Sequence, residues 1–262
     1  MATVRAVVEY DGTNFWGMQV QPRGRTIAGE LERALAQLFG SETKISSAGR
    51  TDTGVHATGQ VISFKTNRAF PFDRLPIAMN TALDDDVSVR EAAVVEDGFS
   101  ARFSAVERAY VYAILNRAQR SALTARSAYH VYTALDLERM REAAASLVGE
   151  HDFRSFCGML PQSGPTVRNV REIIIDRYGE FVRLQIAADG FLHRMVRAIV
   201  GTLVECGTGR REPQSFSDIL VNRDRSAAGH TAPPHGLYLA GVKYRDGFDS
   251  YKEPALFSNL RS

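Results

Sequence analysis

Strand-like segments outnumber helix-like segments along this chain of 262 residues. Runs of β-branched and apolar residues indicate strands, and apolar residues three and four positions apart indicate helices. In the first half the strand segments are 3–10, 44–48, 60–65 and 88–95, and the helical segments are 26–39 and 73–82. Thr26 is a suitable N-cap, and Pro76 fits only the first turn of its helix. The pattern predicts an α+β fold.

The second half of the chain repeats this arrangement. Strands are predicted at 107–115, 170–176, 181–187 and 237–244, and helices at 136–147, 190–206 and 215–221. Asp136 can cap its helix, and Arg177-Tyr178-Gly179-Glu180 has the composition of a hairpin turn. We therefore predict two similar halves, residues 1–105 and 106–262, each a mainly antiparallel sheet with helices on one face. Sheets joined in this way are expected to enclose a central catalytic cleft.

Composition excludes several classes of protein. A hydrophobic content of 44% is too high for a disordered chain, and no apolar run approaches the ~20 residues that cross a membrane. The only cysteines, Cys157 and Cys206, exclude a disulfide scaffold and make a poor case for zinc. The first residues lack the layout of a signal peptide. We expect a cytoplasmic protein that binds no metal and does not associate with membranes.

The basic residues are strongly biased toward arginine. Only four of the 32 Lys plus Arg residues are lysine, although the net charge is only +2. Arginine forms bidentate contacts with phosphate and stacks on bases, so the bias is compatible with a nucleic-acid partner. Genomic base composition or adaptation to heat explains the same bias equally well.

One glycine-rich segment concentrates polar side chains directly after an apolar strand. Residues 46–60 read SSAGRTDTGVHATGQ, with Asp52 at the centre. Gln60-Val61 follows where a phosphate-binding loop needs Lys-Ser/Thr, and one carboxylate is too few for a calcium loop. Asp52 beside glycine can also simply hydrogen-bond to its own turn. The residues alone leave open whether the segment has a catalytic or a structural role.

The segment AGRTDTGVH at 48–56 closely resembles the signature of the tRNA pseudouridine synthase A family. Further blocks resemble the family in family order, at 10–12, 101–105, 108–112, 151–156, 191–201 and 236–239. The resemblance therefore covers nearly the whole chain. One departure is Met18, which stands where family members usually carry the Trp of Gly-Trp-Gln. This change puts any stacking role at position 18 in doubt.

The resemblance implies a cofactor-free isomerase that makes pseudouridine at positions 38, 39 and 40 of the tRNA anticodon stem-loop. This reaction requires an anionic group at C1′ of the target uridine, either as a nucleophile or as a stabiliser of positive charge on the sugar. By resemblance, Asp52 is that group, Arg197 is its ion-pair partner, and Tyr110 stacks on the target uracil. Family members are homodimers, so we expect tRNA and a second copy of the chain as partners.

Further residues are expected to bind RNA. The resemblance implies that Arg50 holds the tRNA with its target base extruded, and that Arg102, Phe103 and His56 contact the substrate. Additional candidate phosphate contacts are Arg23, Arg25 and Arg168. His193, Arg194 and Arg197 are expected on the polar side of the helix at 190–206, and Tyr112 is expected in the core. His151 and Asp152 are expected to cap a local structure or to contact RNA.

Two other functions compete with this hypothesis. An RNA chaperone would explain the arginines but would not use Asp52. A base-excising hydrolase would use Asp52 against the same glycosidic bond and release free uracil.

Overall fold

The computed structural model describes residues 1–258 of the chain. It divides into two compact units. The first unit comprises Met1–Arg108 and Tyr238–Pro254, and the second comprises Ala109–Leu237 together with residues 255–258. The segment 238–254 therefore lies with the first unit, although the sequence pattern placed it in the second half.

The first unit contains strands in the order β4-β1-β3-β10, with β2 beside β3. Its elements are β1 (Ala2–Tyr10), α1 (Ile27–Phe39), β2 (Ser46–Ser47), β3 (His56–Thr66), α2 (Leu75–Asn80), β4 (Val87–Val95) and most of β10 (Leu237–Tyr244). Strand β1 pairs antiparallel with both β3 and β4, whereas β10 pairs parallel with β3. The short strand β2 pairs with β3 at the start of the Asp52 segment.

The second unit contains strands in the order β5-β9-β8-β7, with β6 beside β5. Its elements are most of β5 (Ala105–Asn116), β6 (Tyr129–Val131), α3 (Leu137–Ala145), β7 (Gly149–Asp152), β8 (Val167–Tyr178), β9 (Phe181–Ala188), α4 (Met195–Gly207), α5 (Ser215–Asn222) and α6 (Ala255–Ser258). Antiparallel pairing joins β7 to β8 and β8 to β9. The predicted α+β class is confirmed.

Several local predictions are confirmed by the backbone. The side chain of Thr26 accepts a hydrogen bond from Gly29 N at 3.2 Å, and Asp136 caps α3 by accepting from the amides of residues 138 and 139. Pro76 lies in the first turn of α2. The turn after Tyr178 closes the β8–β9 hairpin, with Gly179 at a φ of 57°. Tyr112 is fully buried, as expected for a core residue.

The predicted start of α4 is wrong. The helix begins at Met195 and not at residue 190, and Arg194 precedes it with a left-handed φ of 59°. The carbonyl of His193 accepts a hydrogen bond from Gly158 N at 2.8 Å, a residue distant along the chain. His193 and Arg194 are therefore exposed residues before the helix, and only Arg197 of the three lies on it.

Candidate active site

Asp52 lies on a tight loop between β2 and β3 in the first unit. Val55 N donates to Asp52 O at 3.1 Å and closes the turn. Gly54 within this turn has a φ of 76°, a conformation that costs glycine nothing and strains other residues. The Asp52 side chain is half-buried, whereas that of Arg50, two residues earlier, is exposed. The loop thus presents a carboxylate and a guanidinium from a backbone that the turn constrains.

Buried hydroxyl groups support this loop from beneath. The hydroxyl groups of Thr51 and Tyr10 lie 2.8 Å apart, and Gln60 Nε2 donates to Tyr10 Oη at 3.3 Å. Burial raises the pKa of Tyr10 to about 12, although its hydrogen bonds to Thr51 and Gln60 act in the opposite direction. Tyr10 therefore stays neutral at physiological pH, and it ties the residue before Asp52 to strand β1.

The buried amide of Gln60 supports the start of the loop. Its Nε2 donates to Gly49 O at 2.8 Å, and its Oε1 accepts from Gly49 N at 3.2 Å. A backbone amide and carbonyl that would otherwise be unpaired are both satisfied by one side chain. This role of Gln60 was not predicted from the sequence. The available signal was that Gln60 is polar and directly precedes the apolar residues Val61-Ile62.

The segment 16–18 packs against the other side of the loop. Met18 N donates to Thr51 O at 3.0 Å. Gly17 has a φ of 91°, and a Cβ atom there would lie 2.8 Å from Thr51 O and 3.3 Å from the carbonyl carbon of Asp52. Only glycine permits this approach. The side chain of Met18 is 1% exposed, with its sulfur 3.9 Å from Gln60 Nε2. Position 18 is therefore a core position and not a stacking surface.

His56, the first residue of β3, is buried within the first unit. Its ring stacks on that of Tyr238 with centroids 4.8 Å apart, and its Nδ1 lies 3.1 Å from Asp11 Oδ1. The pKa of the Asp11 carboxyl is well below its usual value, because His56 and Thr13 hydrogen-bond to it. These contacts hold the end of the Asp52 loop. A contact between His56 and substrate stays a prediction.

Arg108 links a second exposed loop to the Asp52 loop. Its Nε and Nη2 each lie 3.2 Å from Ala48 O, and Nη2 also donates to Arg102 O at 2.6 Å. Arg102 lies over the ring of Phe103 at 5.1 Å from the centroid, and Phe103 is 80% exposed. A cation and an aromatic ring are therefore displayed together, as contacts to phosphate and base require.

The other predicted arginines have different environments. Arg25 forms ion pairs with Glu30 at 3.2 Å, Asp84 at 2.7 Å and Asp86 at 2.6 Å. Its guanidinium is thus neutralised within the protein, which argues against a phosphate contact; that contact stays a prediction. Arg168 donates to the carbonyl groups of residues 165 and 167.

Tyr110 and Tyr112 are both buried in the second unit. The ring of Tyr110 packs edge-on against Phe191, with centroids 5.0 Å apart. The hydroxyl group of Tyr112 donates to Pro233 O at 2.7 Å. Tyr112 thus anchors the loop before β10, while Tyr110 lies beside a residue of the segment that leads into α4.

Arg197 lies in the first turn of α4 and is held by a neighbouring loop. Its Nε donates to Ala232 O at 2.8 Å, while Ala232 N donates to Arg197 O at 3.0 Å. Gly201, one turn later, permits this approach, because a Cβ atom there would overlap His230 O. The reciprocal hydrogen bonds fix the backbone of Arg197 and the Nε atom of its side chain.

Asp152 has a structural role, as one of the two predicted alternatives states. It accepts a hydrogen bond from Arg154 N at 3.1 Å and lies 3.4 Å from Arg223 Nε. His151 Nε2 lies 3.1 Å from Val148 O. Both side chains stabilise the turn around β7.

Residues 1–258 contain no cluster of metal-binding side chains and no membrane-spanning helix. Within this range no three His, Cys, Asp or Glu side chains are grouped so that they could hold a metal ion. No helix in the same range has the length and apolarity to span a membrane.

Comparison with known proteins identifies the family. The family model described as tRNA pseudouridine synthase matches residues 6–104 and 143–245. The tRNA pseudouridine synthase A of Halalkalibacterium halodurans is 45% identical over 90% of this chain and 90% of its own length. The Bacillus subtilis protein of the same name is 44% identical over 92% of this chain and 98% of its own. The Methylococcus capsulatus protein of that name is 45% identical over 97% of this chain and 93% of its own length. This chain belongs to the tRNA pseudouridine synthase family.

Proposed function

We propose that this protein is an isomerase that converts uridine to pseudouridine at positions 38, 39 and 40 of the tRNA anticodon stem-loop. The observation that carries the proposal is the Asp52 carboxylate, which lies on a loop held by backbone hydrogen bonds and close packing. The relatives of this chain are named tRNA pseudouridine synthase A.

The reaction changes the uracil atom to which C1′ of the ribose is bonded, from N1 to C5. The N1–C1′ bond breaks, the uracil turns, C5 bonds to C1′, and the proton on C5 moves to N1 through solvent or a side chain. Substrate and product are isomers, so the conversion consumes no electrons and no second substrate. Asp52 opposes the positive charge that develops at C1′, either by bonding to that carbon or by electrostatic attraction. Carboxylates do the same work in glycoside hydrolysis.

Two further residues take part in the proposed chemistry. Tyr110 stacks on the target uracil, which offsets part of the few kcal/mol lost when a base leaves its helix. Arg197 is the proposed ion-pair partner of the Asp52 carboxylate, because a carboxylate removed from water needs a cation beside it. Its hydrogen bond to Ala232 O supports this role, because a side chain already held at Nε loses little entropy when its charge is used.

The proposed substrate contacts are made by Arg50, Arg102, Phe103 and His56. Arg50 and Arg102 are exposed cations that suit phosphate, and the exposed ring of Phe103 suits a base or a ribose. Any contribution of His56 acts through the end of the Asp52 loop, to which its buried contacts belong.

The test is the formation of pseudouridine in unmodified tRNA. The purified protein is incubated with a tRNA transcript, and pseudouridine is mapped by carbodiimide labelling and primer extension. We expect stops at positions 38–40 with the native chain and at least a 10³-fold lower rate with Asp52→Asn. Glu42→Gln, which changes an exposed acid outside the loop, is the matched control and keeps the native rate.

Three outcomes contradict the proposal. Undiminished product from Asp52→Asn removes Asp52 from the chemistry. Release of free uracil indicates a hydrolase, and tRNA binding without product indicates an RNA chaperone.

We further propose that the protein acts in the cytoplasm as a homodimer. Two protomers of 28.9 kDa provide a larger docking surface for a tRNA than one does. Sedimentation of the purified protein is expected to give twice the protomer mass, and a single-protomer mass contradicts the proposal.

A further inference from the structure

We infer that Trp16 is a stacking platform for an unpaired base of the RNA substrate, next to the loop that carries Asp52. This inference rests on the proposed function and extends it by one substrate contact. Trp16 is the only tryptophan in the chain, and its side chain is 53% exposed. A half-exposed indole offers a flat apolar face of the kind on which an unpaired base stacks.

The backbone of Trp16 is held firmly on both sides. Its amide donates to Arg25 O at 2.8 Å, and its carbonyl accepts from Gln21 Nε2 at 2.6 Å. The next two carbonyl groups, of Gly17 and Met18, accept from Ile27 N and Ala28 N at the start of α1. The first turn of a stable helix therefore anchors the segment that displays the indole.

A glycine supports the indole ring itself. Gly24 has a φ of 86°, and a Cβ atom there would lie 2.6–2.8 Å from three atoms of the Trp16 ring. The backbone of Gly24 thus packs against the ring, which fixes its orientation. A ring that is already oriented loses little conformational entropy when a base stacks on it, and this favours binding.

The position of Trp16 connects it to the catalytic loop. Gly17, the next residue, packs against Thr51 and Asp52, and Met18 N donates to Thr51 O at 3.0 Å. Gln19 also contacts this loop. When its amide oxygen faces Arg50, that oxygen lies 3.3 Å from both Nε and Nη2 of Arg50. Trp16 is thus one residue from direct contact with the backbone of Asp52.

The chemistry of the surroundings favours RNA as the occupant. Arg23 and Arg50 are exposed on the same two loops and supply positive charge for phosphate, whereas Arg25 is neutralised by three carboxylates. A base stacked on an aromatic ring beside arginines is the usual arrangement in proteins that hold unpaired nucleotides. Since Met18 is buried, Trp16 is the residue of this segment that offers such a ring.

The single tryptophan makes the inference directly measurable. Unmodified tRNA is titrated into the intact protein while tryptophan emission is recorded, and a fully paired RNA of equal length serves as the comparison. We expect tRNA to quench the emission and the paired RNA to quench it much less, because its bases remain stacked on each other. Emission that tRNA does not change overturns the inference.

Kinetics with substituted proteins provide the second test. Trp16→Ala is expected to raise KM for tRNA about 5- to 150-fold, which corresponds to a stacking free energy of about 1–3 kcal/mol, with kcat at saturation within about twofold of native. Trp16→Phe retains a ring, and its KM is expected to lie between those of Trp16→Ala and the native chain. Ile77→Ala removes a 72%-exposed apolar side chain on α2 and is the matched control, with an unchanged KM.

The outcomes separate this inference from the proposed function. If the native chain makes pseudouridine and Trp16→Ala has the native KM, the inference is wrong and the proposed function stands. If the native chain makes none, the proposed function itself fails. If Trp16→Ala changes the sedimentation of the protein without RNA, the ring contacts a second copy of the chain, which also overturns the inference. Should Trp16→Ala fail to fold, Trp16→Phe and the emission titration still decide.

Discussion

Single residues determine how firmly the Asp52 loop is held. The buried side chains of Tyr10, Gln60 and Met18 lie under it, and Gly17 lies against it. None of these side chains takes part in the proposed chemistry. They fix the backbone on which the carboxylate stands, and a catalytic group must be held to within a fraction of an ångström.

Gly17→Ala tests this support. The new methyl group would meet Thr51 O at 2.8 Å in a backbone with a φ of 91°, so strain and overlap act together. We expect the free energy of unfolding to fall by about 2–4 kcal/mol and the rate of pseudouridine formation to fall with it. Urea denaturation and the tRNA assay measure the two effects.

Gly40→Ala is the matched control for Gly17→Ala. Gly40 ends α1 with a φ of 68°, but no atom lies within 4 Å of a Cβ built there. Gly40→Ala therefore measures only the free-energy cost of the left-handed backbone conformation, about 1 kcal/mol, and is expected to leave activity unchanged. Equal effects of the two substitutions would show that contact with the Asp52 loop does not matter.

At the scale of elements, local signals located most helices and strands, and distant contacts set their ends. Thr26 and Asp136 cap the helices that they were predicted to cap. Helix α4 begins five residues late because the carbonyl of His193 bonds to Gly158 and Arg194 turns left-handed. The three-residue strand β6 and four-residue strand β7 were missed, since pairing with β5 and β8 defines them.

Gly201→Ala tests how α4 and the loop at 230–232 are fitted together. The methyl group would overlap His230 O and displace the loop whose Ala232 carbonyl holds Arg197. We expect thermal unfolding to show a loss of about 1–3 kcal/mol, together with a lower kcat. Gly190→Ala is the control, because its nearest neighbours are Arg168 side-chain atoms at 3.4 Å or more. Native stability in Gly201→Ala would contradict the close fit.

Across the whole molecule, the arginines include two groups with different roles. Some arginines are internal structural groups, such as Arg25 with its three carboxylates and Arg108 with its carbonyl partners. Others, such as Arg50 and Arg102, are exposed on loops connected to Asp52. Composition cannot separate the two groups, because both contribute the same residue type.

The salt dependence of tRNA binding distinguishes these groups. Each phosphate contact that is lost reduces the slope of log K against log salt by about 1. We therefore expect Arg50→Ala to reduce the slope by about 1 and Arg25→Ala to leave it unchanged. Arg25→Ala is expected instead to lower the free energy of unfolding by about 1–2 kcal/mol, because three carboxylates lose their cation. A reduced slope in Arg25→Ala would contradict this division.

The sequence alone determined the α+β class, the helix caps and the loop of Asp52. These depend on residues within a few positions of each other, where periodicity, capping and glycine placement act directly. The tertiary structure decided which polar and aromatic residues are buried. Tyr10 meets Thr51 41 positions later, Gln60 meets Met18 42 positions earlier, and Arg25 meets Asp86 61 positions later. Such contacts are formed by the chain as a whole, so no local pattern could have assigned Arg25 to an ion-pair cluster or Trp16 to the surface.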